Sequence, residues 1–203
     1  MNLSAFETFY EEKRPFFLEG LTIFDYDFDD KSLFYSRRIG HSPSRNLYQP
    51  EGYYVDAPDM TTILSALKFS GTTSKGLSVG LIQSITANEF ARISDSYGNT
   101  EKFKVEPLTN YTMARIRQGY NEGNTFIGGI ITSTNRSIDD EGLEFLVNDA
   151  FTGGLDLRHH WKDKKYYLDA RLVGSYVNGS REAITILQES SARYFQRPGA
   201  DYL

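Results

Sequence analysis

The sequence predicts an all-β fold, an antiparallel meander of about six to eight strands that forms part of a larger outer-membrane β-barrel. Three observations carry this expectation. The chain favours residues suited to strands and tight turns, with 14 Tyr, 14 Phe and 17 Gly against 3 Met in 203 residues. Apolar and polar residues alternate strictly on both sides of Lys162-Asp163-Lys164-Lys165, the period of a strand with two different faces. Short and long links succeed one another along the chain, as the short periplasmic turns and longer outer loops of such barrels do.

Residues 1–60 form a less regular lead-in. Within it Phe17 to Phe24 and Leu33 to Ile39 are expected strands around an Asp25 to Lys31 turn, and Pro43, Pro50 and Pro58 mark a long loop. Residues 61–177 hold three β-hairpins. In the first, Thr62 to Ser70 returns as Gly76 to Thr86 across Gly71 to Lys75, with Ser70 opposite Gly76. The second joins Tyr111 to Tyr120 with Thr125 to Thr134 around Asn121 to Asn124, placing Ala114, Ile116, Ile127 and Ile131 on one side. Arg115 and Arg117 fall on the other, as candidate basic residues of a lumen.

The third hairpin runs from Phe151 to Trp161 and from Tyr166 to Tyr176. A loop centred between Asp163 and Lys164 pairs Trp161 with Tyr166 and fixes the register. Arg158 then faces Asp169 and Asp156 faces Arg171, opposite-charge pairs on one side that are expected to line the lumen. The other side carries Phe151, Leu155, Leu157, His159 and Trp161 opposite Tyr176, Leu172, Ala170, Leu168 and Tyr166, with His159 as its polar exception. This is the expected lipid-facing stripe. Ten residues tilted near 45° give a height of roughly 23 Å, close to the ~25 Å apolar band of an outer-membrane barrel, and aromatic rings close both ends. Asn88 to Pro107 and Asn135 to Asn148 read as long connections. Residues 178–203 read as a loop or the start of a next strand, with Ser180 to Ser191 a short helix or an outer loop.

Composition narrows the function classes. No run approaches the ~18 apolar residues of a spanning helix, whereas a barrel strand needs only alternate residues facing lipid. The absence of Cys excludes disulfides and thiolate metal sites. A net charge of -5 with dispersed Lys and Arg leaves no nucleic-acid footprint. Met1 is followed by Asn-Leu-Ser-Ala-Phe6, without the basic start or apolar core of a signal peptide. On the barrel reading the chain is therefore expected to be an excerpt of a longer precursor.

Motifs that could carry chemistry are few, and no catalytic, cofactor-binding or metal residue is expected. Asp25-Tyr-Asp-Phe-Asp-Asp30 has the alternate carboxylates of a calcium loop, but Asp30 stands where the turn needs Gly and Ser36 where it needs Glu. A solvated turn explains it. His159 and His160 point to opposite faces of one strand, and His41 is isolated in sequence. Ser65-Ala-Leu-Lys68 has the spacing of a Ser-x-x-Lys nucleophile without the motifs that accompany it. Carboxylate pairs for glycoside hydrolysis cannot be singled out among 27 acidic residues. Asn110-Tyr-Thr112, Asn135-Arg-Ser137 and Asn178-Gly-Ser180 are glycosylation sequons in form only.

Five phrases occur in a characteristic order: Glu12-Lys-Arg-Pro-Phe-Phe-Leu-Glu-Gly20, Leu33-Phe-Tyr-Ser-Arg-Arg-Ile-Gly40, Val105-Glu-Pro-Leu-Thr-Asn110, Asn121-Glu-Gly-Asn124 and Ser190-Ser-Ala-Arg-Tyr-Phe-Gln-Arg-Pro198. Through them the chain resembles the C-terminal barrel domain, domain-of-unknown-function family 5916, of large envelope proteins from Bacteroidota. The resemblance implies an outer-membrane location, a barrel continuing beyond Leu203, and a link to glycans through a family 9-like carbohydrate-binding module that precedes it. It supplies no catalytic residues. Lys13-Arg-Pro-Phe-Phe17 and Arg37-Arg38 are expected barrel-entry or plug features. The function expected is a pore, transporter or surface-anchoring scaffold in contact with outer-membrane lipid, of unspecified oligomeric state. The alternative is a soluble β-rich domain that binds or hydrolyses carbohydrate, and it differs in burying Leu155, Leu157, Leu168 and Leu172 in a core.

Overall fold

The computed structural model describes residues 10–28 and 31–190, and the alternating segments form antiparallel strands as their period requires. In chain order these are β1 (Asp27–Phe28), β2 (Lys31–Ser32), β3 (Tyr54–Asp56), β4 (Ile63–Thr72), β5 (Leu77–Thr86), β6 (Glu89–Ser94), β7 (Thr100–Glu106), β8 (Thr109–Tyr120), β9 (Thr125–Arg136), β10 (Val147–Trp161) and β11 (Tyr166–Gly179). The main sheet has six strands in the order β11-β10-β9-β8-β5-β4. It is open, with β4 and β11 at its edges, and no closed barrel forms among the described residues. A second sheet has the order β3-β6-β7, and β1 pairs with β2 alone.

Two hairpins adopt the register that their alternation and turns give. Trp161 pairs with Tyr166, Arg158 with Asp169, Asp156 with Arg171 and Phe151 with Tyr176. Tyr120 pairs with Thr125 across a 3-10 turn over Asn121–Gly123. The first hairpin differs from expectation. Ser70 pairs with Gly80, not Gly76, and Thr72 with Ser78. The glycine that turns the chain is Gly76, at φ 80°, whose N–H donates to the Thr73 carbonyl at 3.0 Å. Gly71 stays within β4. The displacement is an even number of residues, so Leu67 and Phe69 stay on one face with Leu81 and Gln83, but a bulge between Ile63 and Ser65 turns Ile63 onto the core face and leaves Leu64, expected on the opposite face, exposed.

The connections are corrected too. The segment expected as a long Asn88–Pro107 loop is itself a hairpin, β6–β7, whose outer partner is β3. Phe17 to Phe24 is not a strand. It forms two single-turn helices, α1 (Pro15–Leu18) and α2 (Leu21–Phe24), with Pro15 in the first helical turn, where its missing N–H costs no hydrogen bond. Leu33 to Ile39 is irregular apart from a 3-10 turn at Ser36–Arg38. The chain leaves β11 into a helix, α3 (Arg181–Glu189), whose N-cap Ser180 accepts from the Ala183 N–H at 3.0 Å and donates to the Glu144 carbonyl at 2.6 Å. The segment 191–198 of the fifth phrase lies outside the described residues.

The lead-in folds back across one face of the main sheet. Phe17, Phe24, Tyr26 and Ile39 pack with Ile82, Tyr111, Met113 and Ile130 as one buried cluster. Two glycines of that face admit the rings: a Cβ on Gly80 would lie 2.5 Å from Phe24, and one on Gly154 would lie 2.8 Å from Tyr26. The Tyr26 hydroxyl then donates to the Leu155 carbonyl at 2.8 Å. Lys68 reaches back from β4 to donate to the carbonyls of Phe16 and Phe17, at the end of α1, at 2.8 and 3.3 Å.

The first two sequence phrases are clamped together by Glu12 and Arg14. Arg14 donates to Glu12 at 2.7 and 2.9 Å, to the Ile39 carbonyl at 2.6 Å and to the Ser36 carbonyl at 2.9 Å, while the Ser36 hydroxyl donates to Glu12 at 2.6 Å. The Arg14 side chain foremost, with Ser36, holds the Glu12 carboxyl down at about 2 against an ordinary 4.5. A carboxyl that is more acidic in the folded state stabilises it fully above its unfolded value and loses that contribution as pH falls toward its folded value. Thermal melts of wild type and Glu12→Gln from pH 7 to pH 2 are therefore expected to show wild type the more stable above pH 4.5, with the gap closing toward pH 2. A gap independent of pH would contradict the clamp.

Candidate functional site

Opposite residues of paired strands share a face, so the registers divide the main sheet into two surfaces. One carries Phe69, Ile131, Leu155 and Leu172 at 60%, 64%, 61% and 69% exposure, together with Leu67, Ile116, Ile127 and Leu168, all exposed. Leu157 on the same surface is half-buried. Exposed apolar residues on five of the six strands far exceed the scattered single residues that a monomer in water normally displays. Aromatic rings stack at both ends of the β10–β11 stripe, Phe151 with Tyr176 at 6.5 Å between centroids and Trp161 with Tyr166 at 6.0 Å. Between them His159 accepts or donates through Nδ1 to the Thr125 hydroxyl at 2.8 Å, which satisfies one polar nitrogen of the stripe's exception.

The opposite surface is charged, and the lead-in covers it. Arg115 on β8, with only 3% of its side chain exposed, makes a bidentate pair with Asp156 on β10, at 2.6 and 2.8 Å. The pair spans β9, and Gly128 leaves the room for it: a Cβ there would meet Asp156 at 2.7 Å and Arg115 at 2.9 Å. The Tyr26 ring of the lead-in lies 5.0 Å from the Arg115 guanidinium. Asp169 bridges Arg158 at 2.7 Å and Arg171 at 3.1 Å. Arg117 lies over the Phe126 ring at 4.1 Å, with its Nε buried and without a hydrogen-bond partner among the described residues.

The structure thus brings together on one face all six charged residues singled out in the sequence, but with a partnership that sequence reasoning missed. Register sets Asp156 opposite Arg171, whereas the bidentate partner of Asp156 is Arg115, two strands away. A pairwise hairpin argument cannot see this contact, and the only sequence signal for it is the small residue between the two charges on β9. Ser65 and Lys68 lie on opposite faces of β4, so they form no nucleophile pair. His160, facing away from His159, packs beside Tyr167 at 6.2 Å. Of the calcium-like run, Asp29 and Asp30 lie outside the described residues, and among the described residues no three His, Asp or Glu are grouped to hold a metal. No helix among them is long and apolar enough to cross a membrane, which has no bearing on crossing by strands.

Fold and surfaces together define an all-β protein built on an open antiparallel sheet, apolar and exposed on one side, charged and capped on the other. The chain belongs to the family described as domain of unknown function (DUF5916), whose model matches residues 1–195. No curated protein and no solved structure gives a significant match.

The Arg115–Asp156 pair is directly testable. Removing one partner of a buried ion pair costs about 3–5 kcal/mol, because the other charge is left uncompensated. Arg115→Met and Asp156→Asn are each expected to destabilise in denaturant unfolding, and the double variant is expected to lose much less than their sum. Additive losses would contradict the pairing.

Proposed function

We propose that this chain is a sector of an outer-membrane β-barrel, serving as a pore, transporter or surface-anchoring scaffold without catalysis of its own. In this reading the apolar surface faces lipid, the face of Arg115, Arg117, Asp156, Arg158, Asp169 and Arg171 lines the lumen, and the lead-in is a plug. The observation that supports it above the others is the exposed surface of Phe69, Ile131, Leu155 and Leu172, bracketed by aromatic rings at both ends, as in a barrel with aromatic girdles. The three tight turns, after β4, β8 and β10, lie at one end of the sheet, and the longer connections and the β3-β6-β7 sheet at the other. Short turns are periplasmic in such barrels. Backbone groups at the β4 and β11 edges need partners inside a bilayer, so closure requires further strands. The same family resemblance supports an envelope setting and a glycan partner reached through another module.

Single Arg substitutions at Ile131, Leu155, Leu172 and Phe151 test the reading, with folding stability measured in lipid vesicles. A cost of about 2–4 kcal/mol at mid-stripe, fading to about 0–1 kcal/mol near the aromatic ends, is expected for lipid contact. Folding in plain buffer with neither lipid nor detergent would make the stripe a protein-covered core and turn attention to a soluble glycan-binding or hydrolytic domain.

A further inference from the structure

Where the lead-in crosses the sheet at the end of the longer connections, it leaves a cavity of about 1150 Å³. Its charge is one-sided. Lys13, Arg14, Arg37, Arg38 and Arg136 line it, with Glu12 as the one carboxylate among the described lining residues. Glu12 is already committed to Arg14 and Ser36. Outside the lining, Glu106 sits 3.6 Å from His41, another wall residue, and accepts from the Ser44 N–H at 2.6 Å. Arg136 donates through Nη1 to the Val147 carbonyl at 3.0 Å, while its Nε has no hydrogen-bond partner among the described residues. Arg37 donates through Nη1 to the Glu11 carbonyl at 2.7 Å. Arg37 and Arg136 are thus held in place by backbone carbonyls, which fix their positions without neutralising their charge, whereas the charge of Arg14 is met by Glu12.

From this geometry we infer that the cavity is a binding site for a small organic oxyanion carrying two or more negative charges. Several fixed cations around one space repel each other where protein walls reduce screening, and a multivalent oxyanion answers them all with charge-assisted hydrogen bonds. The volume exceeds what an inorganic ion fills and lies just above the ordinary range of ligand sites. The rings of Tyr10, Tyr35 and Tyr111 add flat walls with hydroxyl groups for the organic body of the ligand. Because the cations come from both lead-in phrases and from β9, a bound anion also ties the lead-in to the sheet. The inference does not rest on the membrane reading, since the cavity lies between the lead-in and the sheet whatever faces the other side.

Calorimetric titration of the folded chain tests it with four probes: glucose 6-phosphate, citrate, inorganic phosphate and glucose. Glucose 6-phosphate and citrate are expected to bind, and to bind more weakly as salt rises; phosphate is expected to bind less tightly, and glucose not to bind. Binding by citrate alone assigns a carboxylate ligand, and binding by glucose 6-phosphate alone a phosphate ligand. Arg136→Gln is expected to weaken binding about tenfold, the loss of one charged hydrogen-bonding group, and Arg136→Lys to weaken it less. Melting temperatures without ligand show whether each variant is folded, and the Lys variant keeps the comparison open if Gln unfolds. Absence of binding by all three anions, binding of glucose as tight as its phosphate, or an Arg136→Gln variant that is folded and binds like wild type would overturn the proposal. An Arg scan showing no lipid contact would overturn the barrel reading and leave this site standing.

Discussion

Everything in this molecule depends on the two-residue period of its strands being kept in phase across six of them. Opposite residues share a face, so one strand out of phase by a single residue would put arginines among the leucines. The phase is held at each junction by turn geometry: Gly76 after β4, the 3-10 turn after β8, and the Lys162–Lys165 turn, where Lys162, Asp163 and Lys164 all have positive φ. The displaced first hairpin illustrates the constraint. Its partners differ from the simplest expectation, yet from Ser65 to Thr72 its faces do not, because the displacement is even; only the bulge before Ser65 turns Ile63 to the core.

The second requirement is that the charged face be satisfied. Arg115 and Asp156 sit where water is largely excluded, and neither would be tolerated there alone. The lead-in both causes this burial and offsets its cost. It brings the Tyr26 ring against Arg115, places Phe24 and Phe17 over the apolar part of the face, and is itself fastened by Glu12, Arg14 and Lys68. A segment held by packing and by hydrogen bonds to its backbone resists displacement more than one held by surface ion pairs, which contribute little. The cavity it leaves at one end follows from the same folding back, since α1 and α2 cover the middle of the face and the chain then turns away.

The sheet was legible in the sequence because alternation and turn residues are local signals. The β8–β9 and β10–β11 registers follow from the residues themselves, as does the segregation of Arg115, Arg117, Asp156, Arg158, Asp169 and Arg171 onto one face. Contacts between non-adjacent strands and from the lead-in are not local, and they were missed. Phe17 to Phe24 has the composition of a strand, but its apolar residues are met by the face of Ile82 and Met113 and not by a neighbouring strand, so the segment folds as two helical turns. Glu89–Ser94 pairs with its neighbour Thr100–Glu106, but its other partner, β3, lies more than thirty residues earlier, in a segment rich in Pro and Tyr. The phrases around Glu12 and Leu33 were visible as wording; their meaning, a mutual clamp, needed three dimensions.

The central claim is that the exposed apolar face meets lipid. The most direct measurement is a spin-label scan of β10, one residue at a time from Thr152 to His160, in the full protein reconstituted in bilayers, reading collisions with oxygen and with a water-soluble nickel reagent. The account predicts a two-residue period, with labels at Gly153, Leu155 and Leu157 reached by oxygen and shielded from nickel, and labels at Gly154, Asp156 and Arg158 not enriched in oxygen. Labels at Leu155 and Leu157 that nickel reaches as freely as it does in water would contradict it.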